Sequence, residues 1–238
     1  MECSRLSRYG LLVVTGADAR DFLHAQLTND IANLSPNRAA LAGWCTAKGR
    51  LLASFLVIPA KDGFLLQLAR DLAPAVTKRL SMFILRSKVK IADESDAWAQ
   101  YGIWDADLGS AGVVWDGDVV TVRVAERRFL KIGKGFSQEC GQSEETWTLQ
   151  EIRAGRPLIT AATQDQFVPQ MVNFETLGAI DFQKGCYPGQ EIVARAQYRG
   201  QVKRRMVHVR TDLKPGEAFN GGVVVDSAAG EALAVMPV

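Results

Sequence analysis

Apolar residues occur along this chain mostly in short runs that are typical of buried β-strands. The run LLVVT at 11–15 is rich in β-branched residues and predicts a strand that ends at Gly16. The same pattern predicts further strands at 39–45, 51–59, 63–69, 206–210, 223–225 and 232–235. Between 113 and 124 two apolar runs flank Asp116-Gly117, and this pair favours a tight hairpin turn.

Helical spacing of apolar residues predicts four helices between these strands. The predicted helices follow Asp18, cover 71–85, cover 147–154 and begin near Ile192. We expect Asp18 to cap the first helix by accepting backbone N–H bonds, and Gly155-Arg156-Pro157 to end the third. Because the order lacks a regular βαβ rhythm, the sequence predicts a mixed α+β fold with a small β-piece at its C-terminus.

Composition places the chain among ordinary folded proteins. Hydrophobic residues make up 47% and charged residues 23%, which excludes disordered, collagen-like and small disulfide-scaffold proteins. No secretory h-region and no run of about 18 apolar residues occurs, so we expect neither a secretion signal nor a membrane span. The cysteines are Cys3, Cys45, Cys140 and Cys186. Their spacing matches no zinc motif, and we expect four free thiols in a reducing cytoplasm.

Positive charge is concentrated in one part of the chain. The whole sequence has 28 basic and 26 acidic residues, whereas 184–214 has eight basic and two acidic residues. A local positive field of this kind favours an anionic partner, such as the tail of a folate or a nucleic acid. The alternative is that Lys203-Arg204-Arg205 is simply a solvated strand edge.

The segment KGCYPGQE at 184–191 is the most informative stretch for chemistry. Two glycines and a proline around Cys186 predict a tight loop just before a helix. A helix N-terminus and the nearby Lys184 both stabilise a thiolate, so Cys186 is a candidate functional thiol. Glu191 falls in the first turn of that helix, where it favours the dipole or binds a polar ring. The alternative is an inert buried cysteine, since no histidine lies nearby in sequence.

KGCYPGQEIVAR followed by YRGQVKRR strongly resembles the signature of the YgfZ-type folate-binding proteins, which are relatives of the glycine-cleavage aminomethyltransferase. Four further segments resemble that family in the same order. They are FLHAQLTNDI, CTAKGRLLASFLV, LRSKVKIAD, and EIRAGRPLI with FVPQMVNFETLGAIDFQ. The resemblance therefore extends over most of the chain.

This resemblance implies an α+β, aminomethyltransferase-like fold of three lobes around a central hole. It implies a folate-binding region at 1–200, with a ferredoxin-like lobe within about 40–135, and a shortened C-terminal β-barrel at 201–238. It further implies that tetrahydrofolate or a derivative binds in the hole. By resemblance, the chain is a cytoplasmic accessory protein that supports iron–sulfur enzymes, including those that modify tRNA.

Candidate site residues follow by matching the family motifs. Tyr9 and Trp147 match the aromatic residues that contact folate, although relatives can carry tryptophan at the first position. Around Cys186, the residues matched as folate-binding candidates are Lys184, Tyr187, Gln190 and Glu191. Arg199 and Arg205 are candidates for the glutamate tail of folate, because arginine pairs with carboxylates through two hydrogen bonds. The alternatives are core packing for the two aromatics and plain surface charge for the two arginines, an interpretation favoured for Arg205.

Two other functions remain open at this stage. A folate-dependent aminomethyltransferase would need an aspartate near Ala73-Pro74, and Asp71 falls two or three residues early. Without that carboxylate the general acid–base candidate is missing, which favours folate binding without aminomethyl transfer. The other possibility is a binding module that contacts tRNA directly through 195–214.

Overall fold

The computed structural model describes residues 1–198, 200 and 202–238, and in this part of the chain it has fourteen strands and four α-helices. The strands are β1 (Glu2–Arg5), β2 (Tyr9–Thr15), β3 (Ala40–Cys45), β4 (Leu51–Ala60), β5 (Gly63–Ala69), β6 (Lys90–Asp93), β7 (Trp98–Trp104), β8 (Val113–Asp116), β9 (Val119–Ala125), β10 (Arg128–Lys134), β11 (Arg204–Arg210), β12 (Ala218–Phe219), β13 (Gly222–Ala228) and β14 (Glu231–Pro237). The helices are α1 (Ala19–Gln26), α2 (Ala73–Ser81), α3 (Glu144–Arg153) and α4 (Gln190–Tyr198). Short 3₁₀ turns cover Arg70–Leu72 and Pro169–Val172.

The central sheet has the strand order β3-β4-β5-β2-β6, and every pair in it is antiparallel. β4, LLASFLVIPA, is apolar at nearly every position and is buried along almost its whole length. A strand that is apolar on both faces is covered on both sides. The packed side chains of this sheet, with those of α1 and α2, form the largest part of the core.

The second sheet has the order β1-β7-β10-β9-β8. β8 and β9 form the predicted hairpin, with Gly117 in the left-handed region at φ +57°. The strands β1, β7 and β10 were not expected from the sequence pattern.

A disulfide joins Cys3 of β1 to Cys140 in the loop before α3, so the expectation of four free thiols was wrong. Cys45 and Cys186 are the free cysteines among the described residues.

The third sheet has the order β11-β14-β13-β12 and contains the C-terminal strands. A partly buried ion pair connects this sheet to the rest of the molecule. Asp226 of β13 accepts a hydrogen bond from Arg8 at 2.8 Å, and Arg8 also donates to Thr148 of α3 at 2.9 Å. These bonds hold β2, α3 and the C-terminal sheet together.

Two local expectations differ from the structure. α2 ends at Ser81 rather than 85, since the chain turns and Leu85 adopts a left-handed φ of +48° that no α-helix accommodates. Asp18 does not cap α1, because its carboxylate accepts the backbone N–H of Lys88 at 2.6 Å. The mixed α+β prediction is confirmed, while the ferredoxin-like lobe and the central hole remain predictions.

In the part of the chain that the structure describes, every helix is too short or too polar to cross a membrane.

Candidate functional site

Tyr9 and Trp147, which the sequence analysis matched separately, line one cavity. The cavity lies where the central sheet, β10 and α3 meet, and its other walls include Phe55, Leu130 and Phe174. Its volume is about 60 Å³. Typical ligand pockets have about 300–1,000 Å³, so this cavity is narrow in the present arrangement of side chains.

Trp147 is fixed by its neighbours in the core. Its side chain is only 1% exposed, and its ring lies 6.2 Å from the ring of Trp104. The ring packs directly on β7 at Gly102, where an added Cβ would come within 2.3 Å of the indole. The guanidinium of Arg128 lies 4.6 Å from the centre of the indole ring, which is a favourable cation–π distance.

A carboxylate with two arginines lies beside these aromatics. Glu151 follows Trp147 by one helical turn and lines the same cavity, as does Arg156. The Glu151 carboxylate accepts a hydrogen bond from Arg156 at 2.8 Å and another from Arg128. The Nε atoms of both arginines are buried and have no partner within the described part of the chain. Neither Glu151 nor Arg156 was predicted as a site residue from the sequence, although the i, i+4 spacing of Glu151 from Trp147 was a usable signal.

Tyr9 stays protonated at the edge of this cluster. Burial raises the pKa of its phenol well above the ordinary value, and the Glu151 carboxylate raises it further. The backbone carbonyl of Tyr9 accepts a hydrogen bond from Gln100 at 3.1 Å, and Gln100 in turn accepts one from Gln67 at 2.9 Å. The buried amides around the cavity are therefore paired with one another.

The loop that carries Cys186 is anchored to α1 through Lys184. The ammonium of Lys184 donates to the backbone carbonyl of Leu27 at 2.6 Å and to that of His24. Burial lowers the pKa of Lys184 to about 8, against the opposing charges of Asp30 and Asp181. The amine thus satisfies carbonyls at the C-terminal end of α1.

Cys186 itself is exposed to solvent. Its neighbour Gly185 lies against His24, because a Cβ built on that glycine would be 3.6 Å from the imidazole Nε2. The structure therefore brings a histidine close to the thiol loop, a proximity that the sequence alone did not indicate. By contrast the thiol of Cys45 is buried, and burial raises its pKa to about 12.

Three further candidates surround the thiol loop. Tyr187 is buried, with its ring 4.9 Å from the Lys184 ammonium. Gln190 begins α4 and is partly exposed, and Glu191 points into solvent, where it pairs with Arg195 at 2.8 Å. Gly189 has a φ of +79° and lies so close to the 46–49 turn that a Cβ would be 2.3 Å from the carbonyl oxygen of Thr46.

The predicted site residues thus fall into two groups. Tyr9 and Trp147 line the cavity, whereas Cys186 and the four candidates around it are absent from its lining. Arg199 lies outside the described residues. Arg205 bonds to Glu175 and to the carbonyl of Gln170 at 2.9 Å.

Asp71 also lies away from the cavity lining. Its carboxylate accepts the backbone N–H of Ala161 at 3.0 Å, and its side chain is exposed.

Comparison with solved structures shows the fold class. The chain aligns with the crystal structure of glycine cleavage system aminomethyltransferase T from Bartonella henselae at a TM-score of 0.73. The alignment covers 99% of this chain and 78% of that one at 15% identity. The two proteins therefore share a fold, and this likeness shows no more than that.

Comparison with curated proteins shows the family. No family model matches the sequence. An uncharacterised protein from Haemophilus influenzae is 32% identical over 204 residues, which cover 84% of this chain and 70% of the relative. The tRNA-modifying protein YgfZ from Edwardsiella ictaluri is 30% identical over an alignment covering 87% of this chain and 70% of the relative. The chain belongs to the YgfZ family.

Proposed function

We propose that this chain is a tetrahydrofolate-binding accessory protein that supports the assembly or repair of iron–sulfur enzymes, including those that modify tRNA. The main support is the convergence of Tyr9 and Trp147 on one cavity beside Glu151. Membership of a family whose named relative is a tRNA-modifying protein supports the second part. The exposed thiol of Cys186 is the candidate reactive group.

The chemistry of the cavity suits the polar edge of a pteridine. A pteridine has a flat aromatic face and an edge that carries N–H donors. Glu151 supplies a carboxylate acceptor, and the rings of Tyr9 and Trp147 supply aromatic surface next to it. Arg156, which lines the cavity, has a buried Nε–H group without a partner among the described residues, and this group can donate to an acceptor of a bound ligand.

The size of the cavity sets a condition on binding. A cavity of about 60 Å³ is too small for a pteridine, so its walls must move before folate enters. Phe174 and Leu177 form one wall and belong to the irregular segment between the 3₁₀ turn at Pro169–Val172 and the Cys186 loop. We therefore propose that folate binding displaces this segment and so links the cavity to the thiol loop.

Aminomethyl transfer is not part of this proposal. Asp71, the nearest candidate for the catalytic aspartate, bonds to Ala161 outside the cavity lining. The carboxylate that lines the cavity, Glu151, accepts hydrogen bonds from Arg128 and Arg156, so we propose that it orients a bound folate rather than transferring a proton. The protein is accordingly expected to form no methylene-tetrahydrofolate from an aminomethyl donor.

Calorimetric titration with 5-formyltetrahydrofolate tests the proposal. We expect saturable binding in the wild type and a loss of about tenfold in affinity, or about 1.4 kcal/mol, in Trp147→Phe, because the smaller ring loses stacking area. Trp115→Phe is the matched control, since Trp115 lies outside this cavity and donates to the carbonyl of Pro59 at 2.9 Å. No saturable binding at millimolar ligand, or equal losses in both variants, would contradict the proposal.

A further inference from the structure

The turn Met82–Leu85, which follows α2, exposes large apolar side chains. Met82 is 69% exposed, Phe83 44% and Leu85 90%. Single exposed apolar residues are ordinary on protein surfaces, but three within four consecutive residues form a patch. We call these four residues the apolar tip.

The backbone holds the apolar tip in a defined shape. Hydrogen bonds from the N–H groups of Met82, Phe83 and Ile84 to carbonyls three residues earlier continue the turn after α2. Leu85 then adopts a φ of +48°, an outlier conformation for a bulky residue. Strained residues of this kind persist where the surrounding structure over-determines them, and they cluster at functional sites.

The sequence on both sides of the apolar tip is basic, and the carboxylate of Asp18 lies at the backbone of Lys88. Between residues 72 and 92 the chain has no acidic residue and five basic ones, which are Lys78, Arg79, Arg86, Lys88 and Lys90. Within the described residues none of the five forms an ion pair with a carboxylate. An apolar tip inside a basic rim complements an acidic surface that carries apolar side chains.

Consecutive contacts connect the apolar tip to the thiol loop. The ring of Phe83 packs edge-on against Trp44 at 6.3 Å, and the Trp44 indole donates to Gln26 of α1 at 3.3 Å. On the same helix, His24 lies against Gly185, the residue next to Cys186. Trp44 is buried, whereas Gln26 and His24 are partly exposed, so the contacts pass from the tip through the core and return to the surface on α1.

We propose that the apolar tip and its basic rim are the docking surface for a protein partner with an acidic, apolar-patterned face, which presents its reacting group to Cys186. The contacts through α1 favour a protein over a lipid surface, since a folded partner seated on the tip can extend along α1 towards the thiol loop. Nucleic acid fits less well, because the two most exposed side chains of the tip, Met82 and Leu85, have no aromatic face for base stacking and the ring of Phe83 already packs against Trp44. The identity of the thiol as the reacting group rests on the proposed function.

Thiol–disulfide exchange with two model peptides tests the docking surface. Each peptide ends in a cysteine activated as a 2-pyridyl disulfide; one alternates glutamate with leucine and phenylalanine, and the other has lysine in place of glutamate. The Cys186 thiolate attacks the peptide sulfur, a mixed disulfide forms, and pyridine-2-thione leaves and is measured by its absorbance. Cys186→Ser supplies the background rate. We expect the acidic peptide to react about tenfold faster than the basic one, as electrostatic steering accelerates encounter.

Two variants decide whether the apolar tip causes this preference. In Met82→Ser/Leu85→Asn the preference is expected to fall at least threefold, and asparagine tolerates the left-handed backbone at 85. The control is Leu108→Ser/Val114→Ser, which removes two apolar side chains outside the tip that are 43% and 46% exposed. In this variant the preference for the acidic peptide is expected to remain. Salt near 1 M should also abolish it, because the screening length is then about 3 Å.

Equal rates for the two peptides in the wild type, or an unchanged preference in Met82→Ser/Leu85→Asn, would overturn the proposal. The wild type could instead float with phosphatidylglycerol vesicles and lose this binding in Met82→Ser/Leu85→Asn. That result would assign the tip to a lipid surface and would also overturn the proposal.

If the thiol reacts normally with 2,2′-dithiodipyridine but neither peptide is preferred, the docking proposal is contradicted and the proposed role of Cys186 is not. A thiol that is unreactive even with this small reagent contradicts the proposed role of Cys186. Docking is then decided by the fluorescence anisotropy of the same acidic peptide with a terminal serine.

Discussion

The aromatic cavity and the thiol loop differ in what holds them. Trp147 is almost completely buried against Trp104 and Gly102, and the neighbouring charges of Glu151, Arg128 and Arg156 pair with one another. Cys186 is exposed, and its loop is held at Lys184, which bonds to two carbonyls of α1. The cavity is thus part of the core, whereas the thiol is presented to solvent by a loop with a buried anchor.

Residues that match the family motifs equally well can therefore contribute very differently to the free energy of unfolding. A residue that lines a narrow cavity in the core contributes to stability whether or not a ligand binds there. An exposed side chain on an anchored loop contributes little to stability, so its chemistry is available for function. Mutations should therefore separate the two regions by their effects on the free energy of unfolding.

The largest separation is expected between Trp147→Ala and Cys186→Ser. Truncating a fully buried tryptophan leaves a cavity and costs about 3–5 kcal/mol. Replacing an exposed cysteine should change stability by less than about 0.5 kcal/mol. Urea denaturation followed by circular dichroism measures both. A cost above about 2 kcal/mol for Cys186→Ser would show that the thiol is structural and would remove the contrast.

A smaller effect is expected when the anchor of the loop is removed. Lys184→Met leaves the carbonyls of His24 and Leu27 without their donor, which should cost about 1–3 kcal/mol. Hydrogen exchange should accelerate in the thiol loop and at the end of α1 but remain unchanged in α3. Lys61→Met at an exposed turn is the control. Unchanged exchange around Cys186 would mean that the loop is held by other contacts.

The pattern of the sequence predicted β2, β3, β4 and β5 of the central sheet because these strands are long, apolar runs. It missed the short strands β6 and β12, and also β1, β7 and β10, which carry polar or aromatic residues at intervals. It could not pair Cys3 with Cys140, because their proximity depends on the assembled second sheet.

For the candidate site, the motif match selected Tyr9 and Trp147, which line one cavity, but it did not indicate that Cys186 lies outside the lining of that cavity. The sequence also did not indicate that His24 of α1 lies close to the thiol loop. Such relations depend on tertiary packing, and local sequence carries little information about them.

The smallest expected effect, counted per pH unit, is the pH dependence that Lys184 contributes. Burial lowers its pKa in the folded protein to about 8 from an ordinary value of 10.5. Between these values the folded state has already released a proton that the unfolded state still binds, so this group makes stability rise with pH in that window. The rise is at most about 1.4 kcal/mol per pH unit.

The difference in unfolding free energy between Cys186→Ser and Cys186→Ser/Lys184→Met isolates this contribution. Both variants lack the Cys186 thiol, whose negative charge raises the pKa of Lys184. The difference should widen from pH 8 to pH 10.5 and stay constant below pH 7. A flat difference would mean that the folded-state lysine keeps an ordinary pKa, so that its ammonium is hydrated and the loop lacks the buried anchor that sets it apart from the cavity.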